Sequence, residues 1–243
     1  MRMLLALLFW LSFALLAPLL LLQAAWVTRT ARRLPAGDGS VDGTVAGGGA
    51  PLSVLFVGES PVAGIGCDRM EQAVAACTAR ELARLTGRAV RWHAAGVNGL
   101  RIRQTLRYLV AKLPDERFDF IVGVHGVNDT TGLSSIAEWR RLLSELALRL
   151  TERHRGAVIY TQVAPMHLFT GLPQPLRAVI GLRARVLDMA LHAHPDRGHL
   201  FEVIDAEFPL DARYLAKDGY HPSPAGCAVW GRQLGAALAA RLR

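Results

Sequence analysis

LSVLFVGES, residues 52–60, decides how this chain folds. Leu52 to Val57 is a short run of apolar and β-branched residues halted by Gly58, the pattern of a strand buried on both faces. Such strands belong to parallel sheets covered by helices on either side. The residues that follow repeat the alternation. Residues 71–86 are Ala-rich with charges at helical spacing and end at Gly87, a helix stop. Residues 89–94 give the next expected strand, 102–113 a helix halted by Pro114, and 118–124 (FDFIVGV) a third strand. Ser134 or Ser135 is placed to cap a helix over 136–154, and 157–163 (AVIYTQV) reads as a fourth strand. A helix over 176–191, a fifth strand over 200–205 and a closing helix over 224–243, with Pro224 in its first turn, complete the pattern. Five strands separated by helices, with no hairpin signals, predict an α/β protein: a three-layer α/β/α sandwich around a five-stranded parallel sheet.

Upstream of this unit the character changes. Met3 to Val27 is apolar and uncharged, long enough for a transmembrane helix, with Trp26 at its end and Arg29, Arg32 and Arg33 just beyond. A cleavable signal peptide is the rival reading. The run is long for one, and Gln23-Ala24-Ala25 is a poor cleavage site, so an uncleaved anchor over residues 1–35 is expected. Residues 36–50 are Gly-rich and read as a flexible linker, leaving 51–243 as the folded domain. The arginines after the span lean, by the positive-inside rule, toward a cytoplasmic globular domain, while a signal-anchor reading places that domain outside the cytoplasm.

Composition bounds the function. With 243 residues and 51% hydrophobic content, the chain has one sizeable core plus an appendage. The formal net charge of +8 is spread without a Lys/Arg block or interleaved aromatics, so no nucleic-acid partner is expected. Attraction to anionic headgroups is the milder consequence. Cys67, Cys77 and Cys227 show no CxxC spacing and read as free buried thiols. His192, His194 and His199 lack the supporting carboxylate or cysteine spacing of a metal site and read as a solvated surface. No metal or other cofactor is expected. His93 and His167 follow expected strands and read as packed or exposed side chains.

In an open parallel sheet, ligands bind beyond the carboxyl ends of the strands. There the chain places Gly58-Glu59-Ser60, Gly96-Val97-Asn98-Gly99, Gly126-Val127-Asn128-Asp129 and, before the last helix, Asp218-Gly219-Tyr220-His221-Pro222. A serine hydroxyl needs a neighbour to take its proton. His221 is suited to this near neutral pH, and Asp218, three residues earlier, to fixing its tautomer. The backbone amides of Ser60 and Gly99 and the side-chain amide of Asn128 are candidate oxyanion donors. Ser60 alone reads as a helix cap and Asn128 alone as a turn; their company gives them a catalytic reading. Asp129 is expected to tie down its loop.

These motifs resemble those of the SGNH hydrolases, also called GDSL-type lipases and esterases, and in particular bacterial lysophospholipase-like and thioesterase-like members. The resemblance covers about residues 52–243, with Ser60, Gly99, Asn128 and His221 on the family's four named residues and Asp218 completing its DxxH pattern. It implies a flavodoxin-like sandwich, hydrolysis of carboxylic esters without a metal, and a bacterial inner membrane for the anchor. Glu59 departs from the usual Asp. The expected function is a serine esterase acting on lipid or other acyl esters through an acyl-enzyme. Two other readings stay open: an O-acyltransferase using the same triad, and a catalytically silent binding module of the same fold. Residues 165–175 (PMHLFTGLPQP) follow the fourth strand, and Met166, Leu168 and Phe169, with Leu172, are expected to wall an acyl-chain site.

Overall fold

The computed structural model describes residues 2–206 and 211–242. Its centre is a mixed six-stranded sheet in the order β1-β3-β2-β4-β5-β6. The strands are β1 (Asp42–Val45), β2 (Gly48–Gly58), β3 (Arg88–Gly96), β4 (Phe120–Val124), β5 (Ala157–Thr161) and β6 (Glu202–Ile204). β2 to β6 pair in parallel, as expected from sequence. β1 is an addition, antiparallel to β3. The sheet is therefore neither five-stranded nor purely parallel, and the segment read as a flexible linker contributes an edge strand. Thr44 and Val45 supply β-branched side chains there, but six glycines in residues 36–50 conceal the signal.

Alternation along the buried strands feeds two cores. Leu55 and Val57 of β2 and Ile121 of β4 face one helical layer. Leu52, Val54 and Phe56, with Val122 and Val124, face the other. The second layer is α2 (Val74–Thr86) and α7 (Pro224–Ala240), which pack on each other. The first layer contains α5 (Ile136–His154) and α6 (Leu176–His192). Ser135 caps α5 by accepting from Glu138 N, and Ser223 caps α7 by accepting from Gly226 N. The expected helix over 102–113 is irregular: an α-helical start, α3 (Ile102–Gln104), continues through a π-turn at Thr105–Leu109 and a 3-10 turn at Val110–Lys112. A short α4 (Val127–Thr131) follows β4.

The N-terminal helix α1 (Arg2–Thr30) lies against α6. Phe9 and Leu20 are buried, and Phe13, Leu16, Ala24 and Val27 pack on the same core, a stripe at helical spacing. The Arg183 guanidinium sits 5.3 Å from the Phe9 ring centre. Gln23 Nε2 donates to Gln174 O at 2.7 Å, and Gln23 Oε1 accepts from Leu176 N at 3.1 Å. The opposite face leaves Leu4, Leu7, Leu11, Leu15, Leu22 and Trp26 exposed. Met3–Thr30 is long and apolar enough to cross a membrane.

Candidate active site

The nucleophile candidate sits where β2 ends. Glu59 N donates to Val124 O, Ile65 N closes a turn onto Ser60 O, and the chain then turns sharply through residues 61–66. Gly66 (φ +98°) makes this turn compatible with its neighbour. A Cβ there would lie 2.4 Å from Pro222 O and 3.1 Å from His221 Cβ, so only glycine lets the two loops meet. Sequence reasoning passed over Gly66 because its partner lies more than 150 residues away.

On the facing loop, His221 Nδ1 and Asp218 Oδ2 are 2.6 Å apart. Asp218 Oδ1 accepts from the amides of Tyr220 and His221 at 3.0 and 3.1 Å. Burial alone would raise the Asp218 carboxyl, but its hydrogen bond to His221 and these two amides hold it below its ordinary value. A carboxylate in this position fixes the imidazole with Nε2 free to accept a proton. Ser60 and His221 line the same cavity of about 80 Å³, with His125, Leu168, Phe169 and Trp230 among its walls. No hydrogen bond joins Ser60 Oγ to the imidazole. Catalytic contacts of this kind often tighten only in the substrate complex.

The amides of Ser60 and Gly99 donate to no partner among the described residues. Gly99 has φ +81° with open space where a Cβ would lie, so backbone conformation rather than crowding calls for glycine. Asn128 is differently placed. Its side-chain amide donates to Glu59 Oε2 at 2.9 Å and to Leu100 O at 3.2 Å. Glu59 also accepts from Gly126 N at 2.5 Å and Asn128 N at 3.2 Å, so one carboxylate clamps the start of α4 beneath the serine. Burial pushes Glu59 up to about 8, Asp129 adds to this, and the amide donors pull the other way. Asp129 does tie down its loop: it accepts from Ile102 N at 3.0 Å and from Ser134 Oγ at 2.8 Å.

Leu168 and Phe169, from the 165–175 segment, line the cavity. Met166 does not. It is 2% exposed and packs into the core at the start of the 3-10 turn Met166–Leu168. Leu172 likewise packs against the core. The segment is tied to the histidine loop by Gly171 N to Gly219 O and by Tyr220 Oη to Gly171 O. His125 is a cavity residue the sequence reading did not single out. Its position directly after β4, before Gly126-Val127-Asn128, was the available signal. Its Nε2 meets Thr105 Oγ1 at 3.0 Å, and burial pushes it down to about 3.

The remaining histidines are separate from this site. His192 bonds to Asp205 and to Asp188 O, while His194, expected on a solvated surface, is buried against Arg140 O because α5 covers it. His167 is exposed. No group of three metal-ligating side chains occurs among the described residues. Cys67, Cys77 and Cys227 are free and buried, with the sulfurs of Cys67 and Cys227 3.6 Å apart.

The model of the GDSL-like lipase/acylhydrolase family matches residues 56–229, from β2 into α7. The chain belongs to this family. Within it, the GDSL-like esterase Rv1075c of Mycobacterium tuberculosis is 28% identical over 207 residues, covering 75% of this chain and 63% of that protein. The chain thus spans less than two thirds of that relative's length. Among solved structures, the lipase/acylhydrolase of Enterococcus faecalis superposes with a TM-score of 0.55 at 21% identity, covering 78% of this chain and 96% of that one. The extracellular lipase of Streptomyces rimosus gives 0.55 at 15% identity, with 76% and 99% covered. These likenesses show the SGNH hydrolase fold for this member.

Proposed function

We propose that this GDSL-family chain is a serine esterase that hydrolyses carboxylic esters through an acyl-enzyme. Ser60 Oγ attacks the ester carbonyl while His221 Nε2 takes its proton, and the alcohol leaves with that proton. His221 then activates water, which releases the acid. Asp218 orients the imidazole and stabilises its charged form. The Ser60 and Gly99 amides receive the developing oxyanion, and the Asn128 amide joins them by turning from Leu100 O. The cavity walled by Leu168 and Phe169 takes the acyl group. The observation that carries this reading is the 2.6 Å contact of His221 with Asp218 on a loop whose imidazole shares a cavity with Ser60.

Hydrolysis of 4-nitrophenyl acetate tests it. Ser60→Ala is expected to lower kcat/KM by a factor of about 10³ or more, and Asp218→Asn by about 10⁴ through the wrong tautomer. Activity that survives Ser60→Ala at near its full value would reject the assignment. An added alcohol acceptor separates hydrolysis from acyl transfer, since only a transferase converts most of the acyl group to a new ester.

The exposed apolar face of α1 supports membrane attachment, with Arg29 in its last turn at the headgroup level. The full chain is expected to float with phosphatidylglycerol vesicles and to resist carbonate extraction. Recovery in the soluble fraction would contradict this.

A further inference from the structure

His221 stands between two hollows of opposite character. On one side is the apolar cavity bounded by Leu168, Phe169 and Trp230. On the other is a groove of about 450 Å³ lined by Arg32, Arg33, Asn98, Asp218 and Tyr220 together with His221 itself. The outer wall of this groove comes from the chain leaving α1. It is held in place because α1 is seated on α6, with Phe9 and Leu20 buried and Gln23 clasping the backbone at Gln174 and Leu176.

An ester has two arms that diverge from its carbonyl. When Ser60 Oγ bonds to the carbonyl carbon, the bond from that carbon to the alcohol oxygen breaks. The proton held by His221 Nε2 passes to the departing oxygen, so the alcohol arm must lie on the histidine side. The apolar cavity suits the acyl arm, which leaves the groove for the alcohol. Arg32 and Arg33 both border that groove, and neither pairs with a carboxylate among the described residues. Among the described residues of the groove wall the one acid is Asp218, whose oxygens are engaged by His221 and by backbone amides. With two arginines against one carboxylate, the described residues on the alcohol side carry a net positive charge.

We propose that Arg32 and Arg33 form a recognition site for an anionic alcohol arm, so that the preferred substrates are esters whose alcohol portion bears a carboxylate or phosphate. This rests on the esterase reading above. Guanidinium groups bind such anions through paired, charge-assisted hydrogen bonds, and the contact orients the leaving oxygen toward His221.

The test is a matched pair of substrates, 3-carboxyphenyl acetate and 3-carbamoylphenyl acetate, hydrolysed by the full chain in neutral detergent. The ratio of kcat/KM, anionic over neutral, is expected to exceed about ten at low ionic strength and to shrink toward one in 1 M salt. The double variant Arg32→Gln/Arg33→Gln should lower that ratio about tenfold, toward one, the loss of a charge-assisted contact. Arg32→Lys/Arg33→Lys should keep much of it, which separates charge from packing. Octadecanoyl homologues of the same pair, carried in phosphatidylcholine vesicles, locate the source. A preference in the soluble pair assigns free small esters, and one confined to vesicles assigns membrane-borne ones. A ratio near one in the unaltered chain with both pairs, or one that the glutamine variant leaves unchanged, overturns the proposal. Absence of turnover for all four esters would instead count against the esterase reading.

Discussion

Glu59 changes the account of the nucleophile's neighbourhood most. Its carboxylate gathers two backbone amides and the Asn128 side chain, and it is buried while doing so. A pKa raised from 4.5 to about 8 means that the folded state holds a proton which the unfolded chain releases above about 4.5. Stability from this group is complete below pH 4.5 and is lost as pH rises toward 8. His125 has the opposite sign. Its pKa falls from 6.5 to about 3, so its contribution is present above 6.5 and lost as pH falls toward 3. Urea unfolding across pH 4 to 9 should show Glu59→Gln losing the alkaline decline and keeping the acid limb. Parallel curves for variant and unaltered chain would contradict this. Glu59→Ala leaves the Gly126 and Asn128 backbone amides without their acceptor and removes one of the two bonds that hold the Asn128 side chain. Each orphaned buried donor costs about 1–3 kcal/mol, and misplacing one oxyanion donor lowers kcat about 10²- to 10³-fold. Melting curves and initial rates on the same sample separate the two effects.

The loops after the strands, more than the strands, set the chemistry. Gly66 and Gly87 both have positive φ, yet they differ in surroundings. A Cβ at Gly66 meets Pro222 O at 2.4 Å, whereas at Gly87 nothing lies within 4 Å. Gly87→Ala should therefore cost only the backbone strain, about 1–2 kcal/mol, and leave kcat unchanged. Gly66→Ala should cost more and slow turnover, because it drives the Ser60 turn away from the His221 loop. Equal effects on rate would show that the contact between the loops is unimportant. The five parallel strands and their covering helices were legible because apolar runs and helix stops repeat with clear periods. β1 was not, since four residues among glycines carry no period. Ser60, Asp218 and His221 were singled out as candidates from residue type and position after strands. The Glu59 clamp and the Gly66 contact were not, because both depend on distances between segments remote in the chain.

The placement of α1 matters for the molecule as a whole. A sequence of this hydrophobicity announces a membrane helix but not that one of its faces rests on α6, since leucine and phenylalanine serve lipid and protein core alike. Phe9 is fully buried beside Arg183. Phe9→Ala should lower the unfolding free energy of the full chain in detergent by about 3–5 kcal/mol, read as a shifted thermal transition. An unshifted transition would mean that α1 stands clear of the domain. The same docking brings the chain past Thr30 to the His221 groove.

All of this depends on Ser60 being an activated nucleophile. Treating the full chain with a fluorophosphonate and mapping the adduct by mass spectrometry tests that directly. The expected result is one phosphonyl group on Ser60, formed slowly in His221→Ala and absent in Ser60→Ala. An unlabelled chain, or a label on a different residue, would contradict it.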